Sequence, residues 1–296
     1  MLPQHLQLSC NPSNPYLMDQ IRTMRIQETS SYKISKDYFH DGAAECNDFM
    51  VSPEERATML SWAYDVLDVC KIGRHVAITA VTYLDRYLAD NIGPCANEAL
   101  SSRRNFQLTF IACLIIALKN CAGMKVESEF VSGVLCHGLY HEKEILDMEM
   151  EVLSGLGWRL NGPTAIDFIH VFMQLLPNQD DLKRKTLLNA AEVLAEHAMM
   201  NYSLAVQEPS LIAYASINIA LSSLGRKYFG GMQVDDMDRF IWMQSVAMIG
   251  GLDIEGPLVR LIHGEMVENC LDLGGCDSSE SSSTGSPRLS ICVMDR

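Results

Sequence analysis

Two residues of opposite charge, Lys119 and Glu149, lie at positions where each charge is expected to have a partner of opposite sign. Glu149 lies on the apolar stripe of a predicted helix over 141–156, four residues after Ile145 and three before Val152. A carboxylate that leaves bulk water is costly unless a cation and hydrogen bonds compensate it. Lys119 ends another predicted helix, where the negative end of the dipole favours a cation. We therefore predict a Lys119–Glu149 ion pair, which either only joins two helices or also faces a binding partner.

The chain carries no motif for catalysis or for cofactor binding. It has no Gly-rich phosphate loop, no Gly-x-Ser-x-Gly elbow and no histidine-based metal motif. His137 and His141 lie four residues apart without a third ligand at zinc-like spacing, and the ten cysteines include no Cys-x-x-Cys pair. We expect no enzymatic activity, no cofactor and no metal.

Composition and charge narrow the class of protein further. The 296 residues are 48% hydrophobic and 20% charged, which is typical of a globular protein. A net charge of -14 argues against a sequence-independent grip on nucleic acid, which needs Lys and Arg to replace counterions. The longest apolar run, Phe110 to Leu118, is far shorter than the roughly 20 residues of a membrane span. We expect a soluble protein of the nucleus and/or cytoplasm that binds neither nucleic acid nor membrane.

Helical periodicity runs through the whole chain, and strand-like alternation is hard to find. A first helix, 15–28, is predicted to lie outside the main body, and 91–103 is predicted to be a loop because of its Gly and Pro. The other predicted helices make two groups of five. The first group consists of a helix that starts at Ser52-Pro53 and of the helices 74–90, 104–120, 126–136 and 141–156. The second group consists of the helices 164–176, 180–203, 208–224, 235–250 and 255–268.

The repetition of five helices in each half predicts an all-α fold of two tandem five-helix bundles, each with an apolar central helix. The predicted domains are an N-terminal segment 1–50, a first bundle 51–160, a second bundle 161–270 and a disordered Ser-rich tail 271–296. In the tail, Ser286 precedes a proline and is a candidate phosphorylation site for a proline-directed kinase.

Four segments resemble the cyclin box and keep its order and spacing. HVAITAVTYLDRYLAD at 75–90 resembles the second helix of the box, and FQLTFIACLIIALK at 106–119 resembles the third, which ends in a lysine. EILDMEMEVLSGLGWRLNGPTAIDFI at 144–169 is similar to the fifth helix with its glutamate, the short turn and the start of the second lobe at Pro163, where we assign a structural role. EPSLIAYASINIAL at 208–221 resembles the central helix of the C-terminal lobe. On these segments the chain is identified as a divergent member of the cyclin family, similar to the mitotic A/B type.

The resemblance implies a regulatory subunit that binds and activates a cyclin-dependent protein kinase, in cell-cycle control. Lys119 and Glu149 match the family's kinase-binding pair. A second family feature, a shallow patch that docks substrates of the kinase, matches positions Arg56, Met59, Trp62, Asp65, Phe106 and Gln107. Two apolar positions of that patch are polar in this chain, Glu55 and Thr58, so we expect a degenerate patch with weak substrate docking. Arg56 also fits a simple structural ion pair with Asp85.

Two other functions remain open. A transcription adaptor similar to B-type initiation factors has the same double five-helix fold, but such proteins usually carry basic faces and often a zinc ribbon. A cyclin-like scaffold that no longer activates a kinase is the other alternative. The stretch Asn120-Cys121-Ala122-Gly123 favours it, because family members often have aromatic and acidic residues there.

Overall fold

The computed structural model describes residues 15–39, 51–90, 94–177, 181–222 and 236–273. These residues form helices and turns and contain no strand, which confirms the all-α prediction. They fall into two compact units. The first bundle holds the described residues of Lys33–Asn161 and Met200–Val206, and the second those of Met1–Tyr32, Gly162–Met199 and Gln207–Ser278. Of the predicted disordered tail 271–296, residues 271–273 instead end the last helix, and the rest, with Ser286, lies outside the described residues.

The first bundle surrounds one apolar helix, α5. Its helices are α2 (Pro53–Cys70), α3 (His75–Asp90), α4 (Pro94–Ser101), α5 (Arg103–Cys121), α6 (Ser128–Phe130), α7 (Glu142–Gly155) and the short α10 (Tyr202–Ala205). Helices α2, α3, α4 and α7 all contact α5. Every side chain from Leu108 to Leu118 is buried, as expected for a helix that is apolar on all sides.

The predicted loop 91–103 contains helix α4, so the loop prediction is wrong for that part of the chain. Pro94 begins the helix, and a proline fits the first turn because its missing N–H would have no intrahelical partner there. Ala96, Ala99 and Leu100 are buried at spacings of three and one, and they pack α4 against α5.

The predicted helix 126–136 is only partly an α-helix. After α6 the backbone makes a π-helical turn over Val131–Leu135, where the N–H of Cys136 donates to the carbonyl of Val131 at 2.9 Å. A π turn adds one residue to each turn and so displaces the side chains that follow.

The second bundle is built around α11, which contacts four other helices. Its helices are α1 (Pro15–Thr29), α8 (Ala165–Phe172) with a 3-10 turn over Met173–Leu175, α9 (Asp181–Ala198), α11 (Pro209–Leu221), α12 (Asp236–Gly250) and α13 (Pro257–Leu273). Trp242 of α12 is fully buried and donates its indole N–H to the carbonyl of Phe172 at 2.9 Å. Pro163 is buried and precedes the cap of α8, where the N–H of Thr164 donates to Asp167 Oδ2 at 2.8 Å.

Helix α1 packs against α8 and α12, so the prediction that it lies outside the main body is wrong. Leu17, Ile21 and Met24 bury one face of the helix at spacings of four and three. Beyond them, the buried carboxylate of Glu28 accepts a hydrogen bond from the N–H of Ser210 at 3.0 Å, at the start of α11. Side-chain packing and the hydrogen bond between Glu28 and Ser210 therefore hold α1 in the second bundle.

Candidate partner-binding site

Lys119 and Glu149 meet at one edge of the first bundle. Lys119 occupies the last turn of α5, directly after the buried run that ends at Leu118. Its Nζ donates to Glu149 Oε1 at 2.6 Å, which confirms the predicted ion pair. The Glu149 side chain is 11% exposed and that of Lys119 is 40% exposed. The carboxylate is therefore compensated inside the fold, while the ammonium group reaches solvent and keeps N–H donors for a further acceptor. Binding of a kinase by this pair remains a prediction.

Large apolar side chains lie exposed next to this pair on α7. Leu146 is 46% and Met150 is 53% exposed. Leu146 lies three residues before Glu149 and four before Met150, so it neighbours both side chains on the helix surface. Exposed apolar side chains grouped beside a charged group are typical of surfaces that bind another protein.

Trp158 adds a third exposed apolar side chain in an unusual backbone conformation. Its φ is 59°, in the left-handed region that a bulky residue rarely adopts, and its side chain is 62% exposed. The turn is fixed, because the N–H of Trp158 donates to Leu153 O at 3.0 Å and Arg86 donates to the next carbonyl, Arg159 O, at 2.9 Å. A strained, well-supported turn that leaves an indole in solvent favours a functional role.

Half of the matched substrate-docking patch is buried. Arg56 is 0%, Met59 is 5% and Phe106 is 1% exposed, so these three residues offer no accessible surface in this structure. The remaining patch residues are the half-buried Trp62 and Gln107 and the exposed Asp65. Substrate docking at this patch stays a prediction.

Arg56 is instead part of a buried ion pair with Asp85. Both side chains are 0% exposed, and the guanidinium donates to the two carboxylate oxygens at 2.8 and 2.7 Å. Tyr38 donates its hydroxyl to Asp85 at 2.8 Å. Burial opposes the charge on Arg56, but the Asp85 carboxylate outweighs it and raises the pKa of Arg56. Burial, and then the charge of Asp85, raises the pKa of Tyr38. The network joins α2, α3 and the segment before α2, and its geometry is that of a structural pair.

Asn120, which departs from the family pattern, also has internal partners. Its amide donates to the hydroxyl of Tyr83 at 3.2 Å and to Asn161 Oδ1 at 3.1 Å. Tyr83 in turn donates to the carbonyl of Leu160 at 2.8 Å. The side chain after Lys119 therefore ties the end of α5 to the segment that follows α7.

Other sites considered from the sequence gain no support from the geometry. In the described ranges, no three His, Cys, Asp or Glu side chains gather as metal ligands would, and this includes His137 and His141. Among the same residues, no helix combines the length and the apolar character needed to cross a bilayer.

Leu146, Met150 and Trp158 are not among the site residues predicted from the sequence. A signal existed for the two α7 residues, because they are apolar and fall outside the buried stripe of Ile145 and Val152. Trp158 lies within the predicted helix break, and no sequence rule indicates that a tryptophan there would be left in solvent.

Models of two protein domains match most of the described chain. The model of the cyclin N-terminal domain matches residues 19–161, and that of the cyclin C-terminal domain matches residues 163–239.

Plant cyclins are among the named proteins with similar sequences. Cyclin-A1-3 of Oryza sativa subsp. japonica is 30% identical over 173 residues, which are 57% of this chain and 33% of the rice protein. G2/mitotic-specific cyclin-1 of Antirrhinum majus is 29% identical over 190 residues, which are 62% of this chain and 37% of that protein. The chain therefore matches about a third of the length of these relatives. The crystal structure of a viral cyclin from herpesvirus saimiri has a TM-score of 0.60 at 17% identity, covering 86% of this chain and 97% of the viral chain, and supports the fold alone.

Proposed function

Since the chain belongs to the cyclin family, we propose that it binds a cyclin-dependent protein kinase and switches that kinase on, in control of the cell cycle. Support comes from the two matching domain models and from the likeness to A-type and G2/mitotic cyclins. The observation that carries the proposal is the Lys119–Glu149 pair at 2.6 Å with its ammonium group open to solvent.

The first bundle supplies two kinds of contact to the proposed partner. Lys119 offers charge-assisted N–H donors to backbone carbonyls or carboxylates of the kinase. Leu146, Met150 and Trp158 offer apolar surface, and burying such a half-exposed side chain contributes on the order of 1 kcal/mol. Since a kinase segment that contacts both must lie along α7, we propose an apolar helix of the kinase with an acceptor group near one end.

The proposed effect on the kinase is a shift between its two states. A protein kinase is active when a Lys–Glu ion pair of its own and its metal-binding loop are in place, which depends on the position of its regulatory helix. A partner that binds the active arrangement more tightly than the inactive one increases the active population. In this proposal the chain supplies that difference in binding free energy, and the chemistry takes place on the kinase.

A double substitution with a matched control tests the site. Lys119→Ala/Glu149→Ala removes the proposed contact, whereas Arg104→Ala/Glu144→Ala removes another pair from the same two helices, 2.8 Å apart and 45% and 35% exposed. We expect the first variant to lower the affinity for the kinase at least about tenfold, because a charge-assisted contact is lost. We expect the control to bind and activate normally, with both variants keeping the helical far-UV spectrum. Equal loss in the two variants, or none in the first, contradicts the proposed site.

A kinase-binding scaffold that does not activate is a second candidate. It is favoured by Asn120, whose exposed amide already donates hydrogen bonds within the chain to Tyr83 and Asn161. Binding without a rise in kinase activity in the same assay would support this candidate. For either function we propose that the chain resides with its kinase in the nucleus and/or cytoplasm, which microscopy of a fluorescently tagged chain tests.

A further inference from the structure

Helix α12 packs one side into the second bundle and buries it. Trp242 and Val246 are 0% exposed and Ile249 is 7% exposed. Spacings of four and three residues place these side chains on one face, and the helix contacts α1 and α11. The sequence of α12 is also apolar beyond this face. A helix that is apolar all round is usually buried on every side, so the other face of α12 is expected to have a cover of its own.

The opposite side of α12 carries a stripe of large apolar side chains in solvent. Met237 is 55%, Phe240 is 54% and Met248 is 79% exposed, and Ile241 is half-buried. At about 100° per residue, these four positions lie within roughly 100° of the helix circumference and face away from the buried side. We call these four residues the α12 stripe. From its first residue to its last, the stripe extends for about 17 Å along the helix.

The composition of the α12 stripe is suited to a helical partner. Single exposed apolar residues are common on proteins, but a contiguous group of them is typical of an interaction site. The two Met side chains are flexible and can adapt to the shape of a partner. Gln244 is the polar residue within the stripe. Apolar anchors at spacings of three and four residues match those of an amphipathic helix packed alongside.

Acidic groups lie at both ends of the α12 stripe. Asp236 and Asp238 belong to the first turn of the helix. Asp253 and Glu255 are exposed and follow the last residue of α12 by three and five residues. The carboxyl end of the helix adds a partial negative charge near the end of the stripe. These charges favour a partner that carries Lys or Arg beside its apolar face.

The only basic residue of α12 does not neutralise this acidic surroundings. Arg239 lies on the far side of the helix from the stripe, where its Nε and Nη2 donate to Asn218 Oδ1 of α11 at 3.0 and 2.8 Å. The whole chain has a net charge of -14, so two copies repel each other. Charge therefore favours a basic partner over a second copy of this chain.

We propose that the α12 stripe binds a basic amphipathic helix of another protein. About three turns of partner helix match the roughly 17 Å of the stripe. Apolar residues of the partner cover Met237, Phe240 and Met248, and its cations lie near the acidic residues at the two ends. The stripe belongs to the second bundle, whereas the residues of the proposed function belong to the first, so this inference does not depend on that function.

Binding of a synthetic peptide to the full chain tests the α12 stripe. The probe is a fluorescein-labelled peptide of about 16 residues, with Leu at helical spacings of three and four and Lys at the other positions. Its fluorescence anisotropy measures binding. We expect a Kd on the order of 10 μM, because a single helix buries little area. A charge-reversed peptide with Glu in place of Lys should bind at least about tenfold more weakly at low salt.

Substitutions locate the binding surface. Met248→Gln and Phe240→Ala should each raise the peptide Kd about tenfold, since each removes an apolar anchor. Leu182→Gln is the matched control, because Leu182 is a 69% exposed apolar residue of α9 in the same bundle, and it should change nothing. In a chain with ¹³C-labelled Met methyl groups, the signals of Met237 and Met248 should shift on binding. Met248→Gln alters only an exposed side chain, so it keeps the test decisive even if Phe240→Ala fails to fold.

Several results would overturn the proposal. An unchanged Kd in Met248→Gln, or an equal rise in Leu182→Gln, would show that the peptide binds elsewhere on this acidic chain. Equal affinity for the Glu peptide would contradict a basic partner. A dimer in sedimentation that Met248→Gln abolishes would assign the stripe to a second copy. A Met248 methyl signal that moves in Ile291→Ser without peptide would assign it to the chain's own C-terminal segment. No kinase is present in these assays, so their failure leaves the proposed kinase binding untouched.

Discussion

Replacing Arg56 should destabilise the first bundle strongly, because it leaves a buried carboxylate without its cation. Arg56→Met removes two hydrogen bonds of 2.8 and 2.7 Å and leaves Asp85, which is 0% exposed, with the hydroxyl of Tyr38. Breaking a fully buried ion pair by removing one partner costs roughly 3–5 kcal/mol. Whole proteins are stable by only about 5–15 kcal/mol, so much of the free energy of unfolding should be lost.

Urea unfolding of the full chain, followed by far-UV circular dichroism, measures this loss. Arg74→Met is the control, because the Arg74–Asp68 pair is 42% and 46% exposed and should be worth about 1 kcal/mol or less. The double variant Arg56→Met/Asp85→Leu should recover most of the loss, since apolar residues can replace both members of a buried pair at little cost. A loss in Arg56→Met no larger than that of the control would refute the structural role of Arg56. Substrate docking would then be the better explanation for Arg56.

Two further predictions concern the second bundle. Glu28→Ala leaves the buried N–H of Ser210 without its 3.0 Å acceptor. We therefore expect the free energy of unfolding to fall by roughly 1–3 kcal/mol and amide hydrogen exchange across α1 to become faster. Unchanged exchange in α1 would contradict the role of the Glu28–Ser210 hydrogen bond in holding this helix. The hydrogen bond from His170 to Glu192, at 2.8 Å, raises the pKa of His170 above 6.5. The pair therefore stabilises the fold below pH 6.5, and this contribution disappears as the pH rises through the raised pKa. An NMR titration should show the His170 pKa falling back towards 6.5 in Glu192→Gln, and an equal pKa in both chains would disprove the linkage.

The sequence predicts the elements whose signals are local and strong. The all-apolar stretch of α5 and the Pro53-Glu54-Glu55 start of α2 appear in the structure where the pattern places them. The position of Glu149 on an apolar stripe, together with Lys119 at a helix end, was enough to predict their ion pair. These features depend on periodicity, capping and the cost of a buried charge, all of which a single segment reveals.

Features that depend on tertiary packing could not be predicted in the same way. Gly and Pro at 93 and 94 predict a break, but a proline also starts helices, and α4 begins at Pro94. The place of α1 depends on Glu28 meeting Ser210, 182 residues away, which no local pattern shows. Similarly, the burial of Met59 and Phe106 depends on how α2 and α5 pack, so a match to a surface patch in sequence did not imply exposure.

The most direct test of the proposed function is a pull-down of the full chain from an extract of its host, followed by a phosphorylation assay on the captured complex. Mass spectrometry identifies any bound kinase, and Lys119→Ala/Glu149→Ala serves as the paired bait. We predict capture of a cyclin-dependent kinase whose activity is higher in the complex than alone, with both capture and activity reduced for the variant. Capture without a rise in activity would contradict activation, and absence of any kinase from the captured proteins would contradict kinase binding itself.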